Sequence, residues 1–145
     1  MSPKTEISYS PEDTFKLGIE LAKQLSPGSC VLLNGDLGAG KTQLIKGMAS
    51  FFGIKTTDVQ SPTYSLHHEY HGTQTIHHFD LYRLKSTKEF LDRGFLDIIE
   101  NNEPVFIEWP SRIDSQIFND KSCVVVNLIV MNQDQREIQI SYGKN

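Results

Sequence analysis

Short apolar runs alternate along the chain with stretches whose apolar residues recur every three or four positions, the periods of buried strands and one-sided helices. Thr5–Tyr9 reads as a short strand. Ser10-Pro11-Glu12-Asp13 then reads as a helix start, with Ser10 as cap, Pro11 at the first helical position and Asp13 in the capping-box position. Phe15, Gly18, Ile19, Ala22 and Leu25 follow at helical spacing, and Ser26-Pro27-Gly28 ends the helix. Ser29–Asn34 is a compact apolar strand leading into the glycine-rich turn Gly35–Gly40. Lys41–Phe52 carries Leu44, Ile45, Met48 and Phe52 on one side and meets a stop at Gly53. Ser61-Pro62-Thr63 is a loop signal. Tyr64–Tyr70 and Thr73–Phe79 read as two strands joined near His71-Gly72. Ser86 to Glu89 repeats the capping-box spacing before a short helix that Gly94 closes. Pro104–Trp109 is an apolar strand carrying an acid near its end, and Cys123–Val130 with Arg136–Tyr142 reads as a closing hairpin. Strands mixed with helices in this way predict an α/β fold: a three-layer, P-loop NTPase-like domain with a mixed central sheet, spanning 1–145 as a single unit.

Composition narrows the class. Of 145 residues, 38% are hydrophobic and 22% charged, as in a soluble globular protein. No apolar run approaches the ~20 residues that span a bilayer. Met1–Glu6 lacks the apolar core of a signal peptide, so no export is expected. The net charge is −4 and there is no long Lys/Arg run. Nucleic acid is gripped through clustered cations that release counterions, so the chain is a poor candidate for holding it alone. Cys30 and Cys123 sit in or beside apolar runs and read as buried, reduced thiols. His67, His68, His71, His77 and His78 share one predicted hairpin. Their spacing matches no closed zinc pattern, and alternating solvated strand positions account for them.

The chemistry concentrates at Gly35-Asp36-Leu37-Gly38-Ala39-Gly40-Lys41-Thr42, which meets G-x-x-x-x-G-K-[ST] at every fixed position. Glycine at ~7% of residues, with Lys and Ser/Thr at ordinary usage, gives a chance match in roughly 0.5% of chains this long. Here a strand precedes the motif and a helix follows it, as phosphate binding requires. The backbone N–H groups of Asp36 to Thr42 wrap a phosphate chain, and the helix N-terminus adds its positive dipole end. Lys41 supplies a point charge for the outer phosphates and, opening the helix, is expected to face solvent without ligand. The Thr42 hydroxyl is a hard oxygen ligand for Mg²⁺. A carboxylate at the end of a neighbouring strand must complete such a site. Asp80 and Glu108 both qualify, and the apolar run Val105–Ile107 favours Glu108 for the metal. Thr63, after a proline loop, is placed to sense the outer phosphate. The N-K-x-D and D-x-x-G signals of small GTPases are absent, which favours ATP over GTP.

Four blocks in order resemble the bacterial TsaE (YjeE) family: Gly35–Thr42, Ser61-Pro62-Thr63-Tyr64, His78-Phe79-Asp80-Leu81-Tyr82-Arg83-Leu84 and Ile107-Glu108-Trp109-Pro110. Some members carry Phe at Tyr64, and the chain after Ile113 has no matching block. The resemblance implies a small cytoplasmic P-loop ATPase required for threonylcarbamoyladenosine on tRNA. It implies work with a TsaD–TsaB complex, which performs the transfer and through which tRNA is reached only indirectly. By the same resemblance Thr42 and Glu108 hold Mg²⁺, Lys41 grips the phosphates, Asp80 is the catalytic or γ-phosphate-side acid, and Ser61-Pro62-Thr63 is the nucleotide-sensitive switch. Two other readings of the phosphate loop remain open at this point, a small P-loop kinase and a non-hydrolysing nucleotide-binding adaptor.

Overall fold

The most apolar runs of the sequence form adjacent parallel strands at the centre of one seven-stranded sheet. This structure, a computed structural model, describes residues 3–62 and 64–144. In chain order the strands are β1 (Lys4–Ser8), β2 (Cys30–Asn34), β3 (His67–His71), β4 (Thr75–Asp80), β5 (Val105–Glu108), β6 (Ser122–Val130) and β7 (Arg136–Lys144). Their spatial order is β1-β7-β6-β2-β5-β4-β3. Strands β6, β2, β5 and β4 run parallel; β3 is antiparallel to β4 at one side, and at the other β7 is antiparallel to both β6 and β1. The sheet is mixed, as predicted, because the hairpins β3–β4 and β6–β7 add antiparallel strands on either side of a parallel centre.

Helices cover both faces, giving the three layers. Helices α1 (Pro11–Lys23) and α2 (Lys41–Phe51) lie on one face over Val31, Leu33, Phe106, Val124 and Val126. Helices α3 (Thr87–Asp92) and α4 (Phe95–Glu100) lie on the other, where Phe90, Phe95 and Ile99 pack with Cys30, Phe79, Val105 and Ile107. The period-two alternation of each strand sorts neighbours such as Cys30 and Val31 into opposite cores. Cys30 and Cys123 are buried free thiols, and burial pushes the Cys30 thiol up to about 12.

Ser10 caps α1 by accepting from the Asp13 N–H at 3.1 Å, and Asp13 returns a bond to the Tyr9 N–H at 3.0 Å. The buried stripe of α1 is Thr14, Gly18, Leu21 and Ala22, so Phe15 and Ile19 are only half-buried. Thr14 takes an inner position because its hydroxyl meets that of Ser8 at 2.7 Å. Helix α2 buries Leu44, Ile45 and Met48 as expected, and Gly53 follows it with φ 80°. Gly94, expected as a stop, lies between two helices: it follows α3 and, with φ 78°, caps α4. The strand expected from Tyr64 starts only at His67, after Leu66 turns the chain with φ 66°. No helix among the described residues is long and apolar enough to cross a membrane.

Candidate functional site

The parallel register brings the ends of three strands together. Leu33 stands opposite Glu108, and Glu108 opposite Asp80, so the turn after β2 and both acids meet at one edge. Beside it β2 is flanked by β5 on one side and β6 on the other, the kind of switch point at which parallel sheets bind ligands. A cleft of about 590 Å³ opens here, bordered by Gly38, Gly40, Lys41, Thr42, Ser61, Asp80, Arg83, Glu108 and Trp109.

The loop Gly35–Thr42 crosses from β2 into α2. Gly38 (φ 82°) and Gly40 (φ 102°) adopt left-handed backbone that residues with a Cβ rarely enter, and Gly40 caps the helix that Lys41 begins. Asp36, Leu37 and Gly38 are exposed at the loop tip, and the Ala39 side chain is buried beneath it. The Ala39 N–H donates to the Asp36 carbonyl at 3.0 Å. Arg136, at the start of β7, fastens the loop from outside. Its guanidinium donates to the carbonyls of Ala39 at 3.2 Å and Gly38 at 3.3 Å, and to Asn132 at 2.8 Å.

Lys41 departs from expectation. It does not face solvent: the residue is 5% exposed, its ammonium donates to the Gly35 carbonyl, and it lies 4.0 Å from the centroid of the Trp109 ring. The physical reason is local. Trp109 holds a left-handed backbone (φ 59°, ψ 50°) directly after Glu108, which sets its indole across the mouth of the loop. There it attracts a cation that α2 presents. Burial lowers the Lys41 pKa from its ordinary value, with Glu108, Asp80 and Asp36 working against that fall.

The acids divide by environment. Glu108 is 3% exposed and belongs to a hydrogen-bonded chain: the Thr42 hydroxyl meets the Ser61 hydroxyl at 3.0 Å, and Ser61 donates to Glu108 Oε2 at 3.3 Å. Asp80 is half-buried, with Oδ1 accepting from the Tyr82 N–H at 3.1 Å. Burial raises its pKa, the neighbouring Glu108 adds to the rise, and the Tyr82 bond opposes it. Thr42, Ser61 and Glu108 are hard oxygen donors in one chain, a donor set that suits Mg²⁺. Thr63, expected as the phosphate sensor, lies outside the described residues.

The family is decided by comparison with known proteins. The model of the family described as "Threonylcarbamoyl adenosine biosynthesis protein TsaE" matches residues 8–138. This chain belongs to the TsaE family. A relative from Treponema pallidum, named tRNA threonylcarbamoyladenosine biosynthesis protein TsaE, is 36% identical over 135 residues, 93% of this chain and 98% of that one. A TsaE of Bacillus subtilis is 34% identical over 132 residues, 90% of this chain and 80% of the other. The crystal structure of Bacillus subtilis YdiB superposes with a TM-score of 0.74 at 25% identity, covering 97% of this chain and 86% of that one.

Two features of this TsaE fold differ from what local sequence pattern predicts. Two of the five histidines are not solvated positions: His77 is 3% and His78 0% exposed, while His67 and His68 are half-buried and His71 is exposed. Strand β4 lies between β3 and β5 and is covered on both faces, so its residues are buried whichever way they point. His77 bonds Glu103 at 2.8 Å and His67 at 3.0 Å, and His78 bonds Glu108 at 2.7 Å. Among the described residues no three His, Cys, Asp or Glu side chains converge as a metal-binding group. Arg136 is the other feature. It lies 97 residues from its Ala39 partner, and no local pattern joins them.

Proposed function

We propose that this chain is a Mg²⁺-dependent ATP-binding protein and a weak ATPase that works in the cytoplasm to support threonylcarbamoyladenosine modification of tRNA. The TsaD–TsaB complex stimulates it, and it reaches tRNA only through that complex. The observation that carries the reading is the convergence of the loop Gly35–Thr42, Glu108 and Asp80 on one cleft at the ends of β2, β5 and β4. The family relationship supplies the pathway, since the named relatives are threonylcarbamoyladenosine biosynthesis proteins.

The chain's own groups divide the work. Backbone N–H groups from Asp36 to Thr42 and the N-terminus of α2 bind the phosphates. Lys41 leaves Gly35 and Trp109 for the outer phosphates, where a positive charge offsets the charge that develops on transfer. Thr42 and Glu108 hold the Mg²⁺, which neutralises phosphate oxygens when bound. Asp80, kept from ionising as readily as an ordinary carboxylate, orients the attacking water and takes its proton. Arg83 borders the same cleft, so the Asp80 block brings one cation of its own to the phosphate side. Phosphate release is the direct test. It is expected to be slow for the chain alone and to rise on adding TsaD–TsaB. A rate that the complex leaves unchanged would remove partner stimulation from the proposal.

A further inference from the structure

A polar thread crosses the face of the sheet that α1 and α2 cover largely with apolar side chains. On β3, Tyr70 stands opposite Ile76 of β4, and His78 is two residues further along β4. On β5, Phe106 stands opposite His78, and Glu108 is again two residues further. Side chains two apart share a face, and aromatic side chains reach such diagonal neighbours on the next strand. Tyr70, His78 and Glu108 therefore form a diagonal across three strands, among Ile76 and Phe106 of the apolar core.

Each junction in the diagonal is a hydrogen bond. Tyr70 Oη meets His78 Nδ1 at 2.9 Å, and His78 Nε2 meets Glu108 Oε2 at 2.7 Å. A carboxylate oxygen accepts, so Nε2 carries the proton of the second bond. At its outer end Tyr70 Oη meets both main-chain groups of Gln60, donating to the carbonyl at 3.0 Å and accepting from the N–H at 3.3 Å. Gln60 is followed by Ser61, whose hydroxyl bonds both Thr42 and the same Glu108 oxygen. The thread thus closes into a circuit: Gln60, Tyr70, His78, Glu108, Ser61 and back along the chain. Burial pushes the Tyr70 hydroxyl up to about 12, so the phenol keeps its one proton, which it can give to the Gln60 carbonyl or to His78 Nδ1 but not to both at once.

We propose that His78, held from behind by Tyr70, is a positioning residue that fixes the Glu108 carboxylate for Mg²⁺ and ties it to the loop at Gln60–Ser61. The assignment rests on the reading of Glu108 as the carboxylate that serves the cation. Both bonds to Glu108 fall on Oε2, which leaves Oε1 outside the circuit. A carboxylate on a free rotor would sample many directions, whereas this one is held in a single rotamer by a ring that is itself 0% exposed. The same link makes Gln60–Ser61 and Glu108 move together. Any shift of the loop is carried through Tyr70 and His78 to the acid, and the reverse.

Two substitutions separate the parts of the ring. The amide of His78→Gln reaches the position of Nε2 and keeps the bond to Glu108. The amide of His78→Asn reaches only that of Nδ1 and loses it. ADP binding is measured by calorimetry, first with metal chelated and then across a Mg²⁺ titration. His78→Asn is expected to need about tenfold more Mg²⁺ and His78→Gln about the wild-type amount, the size usual for loss of an outer partner of a metal ligand. Metal-free ADP affinity is expected to be unchanged in both. Tyr70→Phe keeps the aromatic packing and is expected to speed hydrogen exchange at the Gln60 amide; should His78→Asn fail to fold, this variant decides the link to the loop. An unaltered Mg²⁺ requirement in His78→Asn, an equal loss of metal-free binding in both His78 variants, or unaltered Gln60 exchange in Tyr70→Phe would overturn the proposal. Glu108→Gln distinguishes the deeper failure: if it too leaves Mg²⁺ dependence unchanged, Glu108 does not serve the cation at all.

Discussion

Lys41 lies with its ammonium between the Gly35 carbonyl and the Trp109 ring, so reaching an outer phosphate means giving up both partners. Its removal costs the empty fold those two contacts and is expected to cancel the response to ligand. At ATP one hundred times above Kd, bound nucleotide adds about 2.7 kcal/mol to stability. Thermal melts with and without Mg-ATP should show that gain for the wild type and none for Lys41→Ala. An equal shift in both would mean that the loop is misread. The motif identified Lys41 because spacing within eight residues carries that chemistry. It could not place the side chain, since Trp109 arrives from another strand. His67 illustrates the same boundary. It looked like a surface histidine, yet it packs against Phe79 at 4.7 Å and Phe95 at 5.9 Å between ring centroids. Burial first, then the neighbouring His77, lowers its pKa from 6.5 to about 4. Between those values the unfolded chain binds a proton that the folded chain refuses, so stability falls as pH drops from 6.5 towards 4. Melting temperatures across that window should fall less steeply for His67→Gln than for the wild type. Parallel curves would exclude His67 as a source of the acid limb.

At the scale of elements, the phosphate loop is only as well placed as α2, and α2 is set by its contact with α1. Two glycines make that contact. A Cβ on Gly47 would stand 2.0 Å from the Phe15 carbonyl oxygen, and one on Gly18 would stand 2.3 Å from that of Leu44. Both obstacles are backbone, which no rotamer change can relieve. Gly47→Ala must push the helices apart. It should cost at least the ~1–3 kcal/mol usual for an overpacked core, despite alanine's better helix propensity. Gly143→Ala is the control, because its nearest neighbour is 3.8 Å away, and a change within about 0.5 kcal/mol is expected. Denaturant unfolding of the two variants measures the difference, and equal midpoints would contradict the packing argument. The strands and α2 were legible because each buries a whole face, so their periodicity survives in the sequence. Gly18 and Ala22 lie in the buried stripe of α1 as their spacing predicts, but Thr14 takes the place that apolarity would reserve for Phe15, because its hydroxyl pairs with that of Ser8. Helix α4 was missed for a different reason: a left-handed glycine ends one helix and starts another with equal ease, and six residues give little periodicity to read.

For the whole molecule, the proposed stimulation by a partner rests on how the cations of the cleft are engaged. The cleft holds Lys41, Lys46 and Arg83 against Asp80 and Glu108, but Lys41 is engaged by Gly35 and Trp109, and Arg83 lies 5.1 Å from the Tyr64 ring centroid. Phosphoryl transfer needs cations fixed on the outer phosphate and a water held in line, and a partner can supply or arrange both. The net charge of −4 suits docking on a protein better than on bare tRNA. Asp80 is the residue on which this account turns. Its raised pKa and its place opposite Glu108 suit a group that handles the attacking water, whereas Thr42, Ser61 and Glu108 form the chain suited to the cation. Removing the Asp80 carboxylate should therefore leave ATP binding and partner docking intact while stopping turnover. The expected phenotype is a first round of modification and no sustained one, in a reaction holding TsaD, TsaB, threonylcarbamoyl-adenylate and tRNA. The ATP affinity of Asp80→Ala, measured separately, should match the wild type. If Asp80→Ala sustains full modification, or if the reaction does so with this chain left out, hydrolysis here is not what keeps the complex turning over.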